Sequence, residues 1–533
     1  PLLTYVNLIL FGGWYVLGRV IGTFASPADF EALYFTDPTW FYLIGRGLSA
    51  TLGTVAVPCT YWVGKKLYDT RVGYVAALCL TFAFLHVQES HFATPNAALP
   101  LFAALTLLAA VAVARYGSRR GYVGGGILAG LAANVKYNAV LIIVPLFVAH
   151  LYYALESSAS TDPWYRRLFN RWIFLTGGIA VVTFFAVNPY ALLDYHRFLD
   201  WLEWYGSLSR TGYHVLRQEP GWIIYLKALL RVLGWPIALV AAGGALWAIA
   251  RHRCEDLLVL SFPVLYVLLM GFSRLAAGRY LMPIFPALSV LAGVFLVAIV
   301  ERMTRRFSFR RCETVGIVAV VVLTLALPVY NALRHDLLIT RPDTRTLTKA
   351  WVEREVPAGA RILVDGFGPQ LVPDKTSIRN RLERNPELVY NKARWLLKRD
   401  DSEYPRPAYY LDFLERAESL TSFERYGEEL SFGGGEGYIS YARTGRFEYV
   451  ILTSILIGRY SEPERRQQYA EYTAALDEFL AWLRSDADLV QIFRPTSEPE
   501  PPDLYRYVQT TPSAYLSRLQ RPGPTVYIYR ISP

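Results

Sequence analysis

The chain has 533 residues, of which 53% are hydrophobic, and a formal net charge of +10. Residues 1–333 are mostly apolar, whereas residues 334–533 have the composition of a soluble domain, so we expect one membrane unit and one globular unit. Much of the positive charge lies in short loops between apolar runs, where membrane topology explains it, and a nucleic-acid-binding module is not expected.

About eleven apolar runs in the first unit are long enough, or nearly long enough, to cross a bilayer. Aromatic residues cluster at their ends, as they do at membrane interfaces. The sequence therefore predicts a polytopic α-helical membrane protein with runs near 1–24, 40–63, 73–88, 97–114, 121–134, 137–153, 172–187, 233–250, 257–272, 281–300 and 314–332.

Basic loops predict the sidedness of this unit. The segment ERMTRRFSFRR at 301–311 separates the last two runs, and basic residues beside a span tend to stay in the cytoplasm. Four other basic loops alternate with it in a consistent way. The remaining loops then face outwards, together with the C-terminal domain of a multi-pass cell-membrane (plasma or inner membrane) protein: 89–96, 134–138, 188–232 and 273–280.

Residues 334–533 are predicted to form an extracytoplasmic α/β domain. Strands are expected in RILVD (361–365), YVILTS (449–454) and TVYIYRI (525–531), and a helix over 465–484. None of the four cysteines lies in this domain, so we predict that it folds without disulfides. It carries no recognisable catalytic motif.

Three of the outward loops carry candidate functional residues. QESHFATPN (88–96) contains Glu89, His91 and Asn96, although a simple interfacial turn is the favoured interpretation of this loop when it is taken alone. GLAANVKYN (130–138) contains Lys136, the one cation that the topology places outside. Its ammonium is suited to a phosphate group or to lipid headgroups.

SRLAAGRYLMPIFP (273–286) carries Arg274 and Arg279 with Tyr280 beside them, directly before a span. Guanidinium groups bind phosphate through paired hydrogen bonds, so this loop is a second candidate phosphate site. The segment 188–205 has amphipathic spacing. It is predicted to lie in the membrane interface as an anchor, as a wall of a lipid-substrate cleft, or as both.

These segments together resemble a known family. RGLSATLGTVAVPCTYWVGKKLYDTRVGYVAAL (46–78), SHFATPN, GLAANVKYN, NPYALLDY and GRYLMPIFP occur in the order typical of polyprenyl-phosphate-sugar-dependent glycosyltransferases of the GT-C fold, the protein-mannosyltransferase-like and aminoarabinose-transferase-like group. The resemblance implies a monosaccharide donor on a polyprenyl phosphate, transfer at the outer membrane face, and a phosphate held by Lys136, Arg279, Tyr280 and Arg274.

The resemblance also implies a catalytic Asp-Glu pair directly upstream of a stretch like PLLTYVNLIL (1–10), so the pair is expected before Pro1 and the catalytic residue is not identified within the chain. Asp29, Glu31 and Asp37 are fallback candidates. The 90–96 loop of the family usually ends in Asp, whereas here it ends in Asn96, an amide that binds a divalent cation weakly. Two alternatives follow: Glu89 or His91 compensates, or the protein needs no metal. No metal ligand is assigned, and a divalent cation stays one candidate cofactor.

Two other classes of function remain open from the sequence: a multi-span transporter, and a non-catalytic binding or assembly protein of the same fold. The spans contain few acidic residues and show no clear inverted repeat, which favours the glycosyltransferase over the transporter. The expected partners are the lipid bilayer, a polyprenyl-phosphate-linked sugar, and an acceptor that is a glycan, a lipid or a protein. The sequence does not identify the sugar or the acceptor.

Overall fold

The structure is a computed structural model that describes residues 1–156, 163–211, 220–274, 276–306, 313–384, 386, 389–414, 437–459, 461, 463–468, 470–497 and 515–531. Residues 307–311 of the basic segment therefore lie outside the described residues. The chain divides into two units, Pro1–Leu333 and Arg334–Pro533.

The first unit is helical. Short 3₁₀ segments at Pro95–Ala97, Tyr137–Ile143 and Gly278–Ile284 precede three of its helices, and a π segment, Leu230–Gly234, joins two others. Its helices are α1 (Leu2–Val20), α2 (Pro27–Thr36), α3 (Thr39–Leu67), α4 (Thr70–Thr81), α5 (Phe84–Ser90), α6 (Ala98–Tyr116), α7 (Arg119–Val135), α8 (Val144–Glu156), α9 (Trp164–Leu168), α10 (Arg171–Val187), α11 (Tyr190–Leu193), α12 (Tyr195–Thr211), α13 (Gly221–Leu229), α14 (Trp235–Arg251), α15 (Cys254–Gly271), α16 (Phe285–Arg306) and α17 (Glu313–Ile339).

The membrane character that the sequence predicted is confirmed, but the count of about eleven spans is not. Among the described residues, eight helices are long and apolar enough to cross a membrane, or nine if α4 and α5, which meet at a 60° bend, form one span. All eleven runs coincide with helices. However, α7 is only 17 residues long and α3 is rich in glycine, serine and threonine, so neither belongs to that set.

Close packing of α7 on α10 depends on two glycines. A Cβ atom added at Gly126 would lie 2.6 Å from the carbonyl oxygen of Thr176, and one at Gly130 would lie 2.5 Å from that of Ala180. Small residues allow two helix backbones to approach in this way. Gly126 and Gly130 therefore form a packing face of α7, whereas Gly124, Gly177 and Gly178 face open space and do not take part.

The substitution Gly130→Ala is expected to destabilise the protein by about 1–3 kcal/mol, because the new methyl group would force α7 away from α10. Gly124→Ala, one and a half turns earlier on the same helix, has open space and is the matched control. It should be neutral or stabilising by up to about 1 kcal/mol, because alanine favours the helix. Thermal unfolding of both variants in detergent checks this, and equal melting temperatures would refute the packing role.

Ion pairs join helix ends at the loops that the sequence predicts to be cytoplasmic. Arg71 at the start of α4 forms salt bridges with Glu301 on α16, at 2.6 Å, and with Glu313 at the start of α17. Asp256 in the first turn of α15 is fully buried and accepts hydrogen bonds from Arg251 and from the hydroxyl of Tyr68. These charged residues therefore hold the ends of neighbouring helices together.

The second unit contains a five-stranded sheet with the strand order β2-β1-β3-β5-β4. The strands are β1 (Arg361–Asp365), β2 (Tyr410–Leu414), β3 (Tyr449–Thr453), β4 (Ala487–Phe493) and β5 (Val526–Ile531), and β1 pairs in parallel with β2 and β3. The helices of this unit that follow α17 are Thr344–Glu355, Lys375–Arg384, Asn391–Leu397, Tyr438–Thr444, Ser454–Arg459, Pro463–Gln468 and Ala470–Asp486.

Burial differs between the central strand β3 and the edge strand β4 of this sheet. Every residue of β3 is buried, as expected of a central strand covered on both faces, whereas no residue of β4, at one edge, is fully buried. Two apolar clusters flank the sheet, one around Phe479 and Leu483 and the other around Val352 and Ile362. The three predicted strands coincide with β1, β3 and β5.

Candidate functional site

The loop after α5 is organised around a buried carboxylate. Glu89 lies at the end of α5 and is only 3% exposed. Its Oε2 atom accepts a hydrogen bond of 2.6 Å from the hydroxyl of Thr94 and one of 2.8 Å from the side-chain amide of Asn96. A buried charge needs such partners, so Glu89 fixes the orientation of Asn96.

Lys136 completes this network from a distant part of the chain. It ends α7 in an extended conformation, and its Nζ atom donates a 2.6 Å hydrogen bond to Oδ1 of Asn96. The same Nζ atom lies 4.4 Å from the centre of the Tyr280 ring. Glu89, Asn96 and Lys136 thus form one connected polar chain, which we call the Glu89 network.

Arg279 brings a second cation to the same place. It lies in the 3₁₀ segment Gly278–Ile284, and its guanidinium carbon is 5.6 Å from the centre of the Tyr280 ring. Because both Lys136 and Arg279 approach this ring, the structure gathers three of the four predicted phosphate-binding residues. Two cations close to one another, with a single buried carboxylate nearby, create a site of net positive charge.

A buried tyrosine that the sequence analysis missed positions these residues. The hydroxyl of Tyr266 on α15 is fully buried, donates to the carbonyl oxygen of Tyr280 at 2.6 Å, and accepts from the side chain of Asn138 at 2.9 Å. It therefore joins the Lys136 loop to the Arg279 segment. A tyrosine inside an apolar run is a weak signal in a sequence, because an anchoring aromatic residue gives the same pattern.

The pKa of Lys136 is lowered to about 7. Burial is the main cause, the nearby charge of Arg279 acts in the same direction, and Glu89 acts in the opposite direction. Lys136 lies outside the candidate spans, directly before the one that begins at Tyr137. At neutral pH its ammonium is consequently easy to deprotonate, and an anion bound beside it would restore the proton.

The other predicted site residues have different environments. His91 is turned towards its own helix: its Nδ1 atom bonds the carbonyl oxygen of Val87 at 2.8 Å, and its carbonyl oxygen accepts from Arg46 at 2.6 Å. The side chain of Arg274 is exposed, and its backbone amide donates to Ser209 at 2.8 Å. Neither is part of the Glu89 network.

Two of the fallback carboxylates, which the sequence offered as candidate bases, have structural roles. Asp29 accepts from the backbone amide of Ser26 in a capping box at the start of α2. Asp37 accepts from the backbone and the hydroxyl of Thr39 at the start of α3. Glu31, the third candidate, lies within α2. Helix starts favour such acidic caps.

The groups around Asn96 do not fit a divalent cation. Its amide oxygen, the atom that would bind a metal, already accepts from the Lys136 ammonium, and Oε2 of Glu89 already has two donors. A metal ion here would face the lysine charge at close range, whereas divalent cations require several free oxygen ligands. Lys136 supplies the positive charge at this position instead.

Aromatic residues of α12 continue the site. The ring of Tyr137, next to Lys136, lies 5.1 Å from Trp201 and 6.2 Å from Phe198. On the same helix Leu199 is 54% exposed and Trp201 39% exposed. The predicted amphipathic helix therefore exists, after a break at Asp194, with apolar side chains beside the cationic site. Such a surface suits a membrane interface.

Known proteins match this chain in sequence. The family described as dolichyl-phosphate-mannose-protein mannosyltransferase matches residues 43–190, a range that contains Glu89, Asn96 and Lys136. The undecaprenyl phosphate-alpha-4-amino-4-deoxy-L-arabinose arabinosyl transferase of Pseudomonas aeruginosa (strain UCBPP-PA14) is 25% identical over 304 residues, which cover 52% of this chain and 52% of that protein. The chain thus spans about half the length of the curated relatives it matches.

Two solved structures are also similar. ArnT from Cupriavidus metallidurans in the apo state aligns with a TM-score of 0.46 at 13% identity, over 91% of this chain and 83% of that one. The apo oligosaccharyltransferase of Archaeoglobus fulgidus aligns with a TM-score of 0.47 at 11% identity, over 100% and 80%. The sequence matches confirm that the chain resembles the polyprenyl-phosphate-sugar-dependent glycosyltransferases of the GT-C fold.

Proposed function

We propose that this chain is a membrane glycosyltransferase that moves a monosaccharide from a polyprenyl phosphate to an acceptor at the outer face of the cell membrane. The observation that carries the proposal is the convergence of Lys136 and Arg279 on Tyr280, beside the exposed apolar surface of α12. A lipid phosphate has both of the properties that this arrangement matches: an anionic head and an apolar tail.

In the proposed reaction, an acceptor oxygen or nitrogen attacks the anomeric carbon of the sugar. The bond between that carbon and the phosphate oxygen breaks, and its electron pair stays on the lipid phosphate. Lys136 and Arg279 stabilise this growing negative charge, which is the main task of a preorganised cationic site. The acceptor proton passes to a general base.

Glu89 has a positioning role in this mechanism. Its Oε2 atom is held by Thr94 and Asn96, and through Asn96 it sets the position of the Lys136 ammonium. A general base must instead be free to reach the proton that it removes. Relatives with Asp where this chain has Asn96 would carry a second negative charge here. The site with the amide of Asn96 is therefore more positive than a site with Asp.

Contacts within the first unit support the proposed sidedness. The loops predicted to face outwards contact one another, through Asn96 with Lys136 and through Tyr137 with Trp201. The loops predicted to face the cytoplasm also contact one another, through Tyr68 with Asp256 and Arg251. On this basis we place the cationic site outside and propose an extracytoplasmic position for the C-terminal domain.

Sugar transfer from a radiolabelled polyprenyl-phosphate donor by the full chain in proteoliposomes tests the function. Arg279→Ala is expected to lower transfer about 100-fold, because removal of one charge-stabilising donor has an effect of this order. Arg197→Ala removes an exposed arginine from α12, outside the Glu89 network, and is the matched control.

Unchanged transfer by Arg279→Ala would contradict the phosphate assignment. Movement of a labelled solute into the proteoliposomes, without any transfer from the lipid donor, would favour a transporter instead. A full-length wild-type protein that binds the lipid donor but transfers nothing would favour a non-catalytic role.

A further inference from the structure

Two basic loops lie at the other end of α7 from the Glu89 network. Arg119 begins α7 and Lys136 follows its last residue, so the length of a 17-residue helix, about 25 Å, separates them. The loops 115–120 and 163–171 together contain six arginines and no acidic residue. This end of the first unit is therefore strongly basic, and it is separate from the cationic site at Lys136.

A buried group of side chains joins the two loops. The hydroxyl of Tyr122 on α7 lies 2.7 Å from Nδ1 of His150 on α8, and Nε2 of His150 donates to the carbonyl oxygen of Leu168 on α9 at 2.8 Å. Tyr122 also stacks on Trp172 at the start of α10, with 6.2 Å between the ring centres. Because Tyr122 and His150 are both buried, these contacts hold the starts of α7 and α10 close to one another.

Trp172 brings two of the arginines together. The guanidinium carbons of Arg119 and Arg171 each lie 5.4 Å from the centre of its ring and are therefore at most about 11 Å apart. Arg71 and Arg251, at other helix ends, pair with carboxylates instead. An aromatic ring attracts a guanidinium through its face but carries no net charge, so the ring does not neutralise the two positive charges beside it.

Exposed aromatic side chains lie close to these arginines in the chain. Phe169 and Phe174 are on either side of Trp172 in the sequence and are both exposed, as is Tyr116 at the end of α6. Trp172 also lies within the candidate membrane span Tyr165–Val187. Basic and aromatic residues at the end of a span are typical of the membrane interface. A ligand that matches this surface has an anionic head next to apolar chains.

We propose that Arg119, Arg171 and Trp172 form a binding site for the phosphate of an anionic glycerophospholipid, whose acyl chains lie along the exposed apolar surface of α10. Guanidinium groups donate paired hydrogen bonds to phosphate oxygens, and an anion between two cations offsets their repulsion. The separation from Lys136 is close to the thickness of the hydrocarbon core of a bilayer. This lipid therefore belongs to the opposite membrane face from the donor phosphate, and the inference does not rest on the proposed function.

Native mass spectrometry of the full-length protein in detergent tests the site by titration with phosphatidylglycerol and with zwitterionic phosphatidylcholine of the same acyl chains. The wild type is expected to bind phosphatidylglycerol about 10-fold more tightly than phosphatidylcholine, as two basic residues near a lipid headgroup predict. The double variant Arg119→Gln with Arg171→Gln should lose most of this preference. Arg119→Lys with Arg171→Lys keeps both charges but not the paired hydrogen bonds, and it should bind phosphatidylglycerol severalfold more weakly than the wild type.

The matched control is Arg253→Gln with Arg302→Gln, which removes two exposed arginines from loops predicted to lie on the same membrane side. It should keep the wild-type preference. Equal binding of the two lipids by the wild type, or an equal loss of preference in the control, would overturn the site. Unchanged affinity in the double lysine variant would contradict the assigned phosphate contact, even if the glutamine variant does not fold. Displacement of phosphatidylglycerol by an equal concentration of inorganic phosphate would assign the site to a soluble anion and exclude the lipid.

Discussion

Replacing Lys136 with methionine is expected to reduce sugar transfer on the order of 1000-fold. The substitution keeps the length of the side chain but removes the ammonium that we assign to the lipid phosphate. It also leaves Oδ1 of Asn96, which is 4% exposed, without its donor. Because a buried acceptor that loses its donor costs free energy, this variant should lose more activity than Arg279→Ala. Initial rates with a saturating lipid donor measure the effect.

The effect of pH follows from the same lysine. Its pKa of about 7 means that, in the protein without donor, Lys136 is largely charged below pH 7 and largely neutral above it. Binding of the anionic donor above pH 7 must take up a proton, so affinity should fall by up to about 10-fold per pH unit between pH 7 and 9. The donor is a phosphodiester, whose own charge does not change in this window.

Lys136→Arg tests whether deprotonation of Lys136 causes the pH dependence, because a guanidinium keeps its proton throughout this range. The variant should bind the donor with a nearly flat pH profile, even if its bulk lowers the affinity. Lys66→Met removes an exposed lysine near the C-terminal end of α3 and controls for the loss of a positive charge. A wild-type profile that stays flat from pH 7 to 9, or an unchanged slope in Lys136→Arg, would contradict the assignment.

The second large effect is on stability, and it concerns Asp256. Asp256→Ala is expected to lower the free energy of unfolding by about 3 kcal/mol. The substitution leaves the Arg251 guanidinium and the Tyr68 hydroxyl without the carboxylate that joins the ends of α3 and α14 to the start of α15. This value is at the lower end of the range for breaking a buried ion pair, because the side chain of Arg251 is 22% exposed.

Thermal and denaturant unfolding in detergent measure this loss, with Glu255→Ala as the neighbouring control. The double variant Arg251→Ala with Asp256→Ala should be more stable than the sum of the two single losses predicts, since no charge then remains unpaired. Additive losses would show that the two residues do not act as a pair. A wild-type melting temperature for Asp256→Ala would rule out the proposed clamp.

The local sequence was sufficient to place the helices that coincide with the apolar runs and to identify the loops that contain the cationic site, although it did not predict α2 or α13. All eleven apolar runs coincide with helices because hydrophobic length and turn residues are local properties of the chain. The same loops that carried the resemblance contain Glu89, Asn96, Lys136 and Arg279. However, a hydrophobic run does not distinguish a spanning helix from a short packed one, as α7 shows with its 17 residues and its contacts to α10.

The amino-acid sequence by itself determined the membrane character of residues 1–333, the alternation of basic and non-basic loops, and the family resemblance, because each depends on residues that are close together in the chain. Only the tertiary structure decided which polar groups meet. Lys136 binds Asn96 across 40 residues, and Asn138 binds Tyr266 across 128. Contacts between distant segments depend on how the helices pack, and no local pattern records that packing. The same reason explains why Tyr266, which no motif marks, was recognised as the link between Asn138 and Tyr280 only when its neighbours were known.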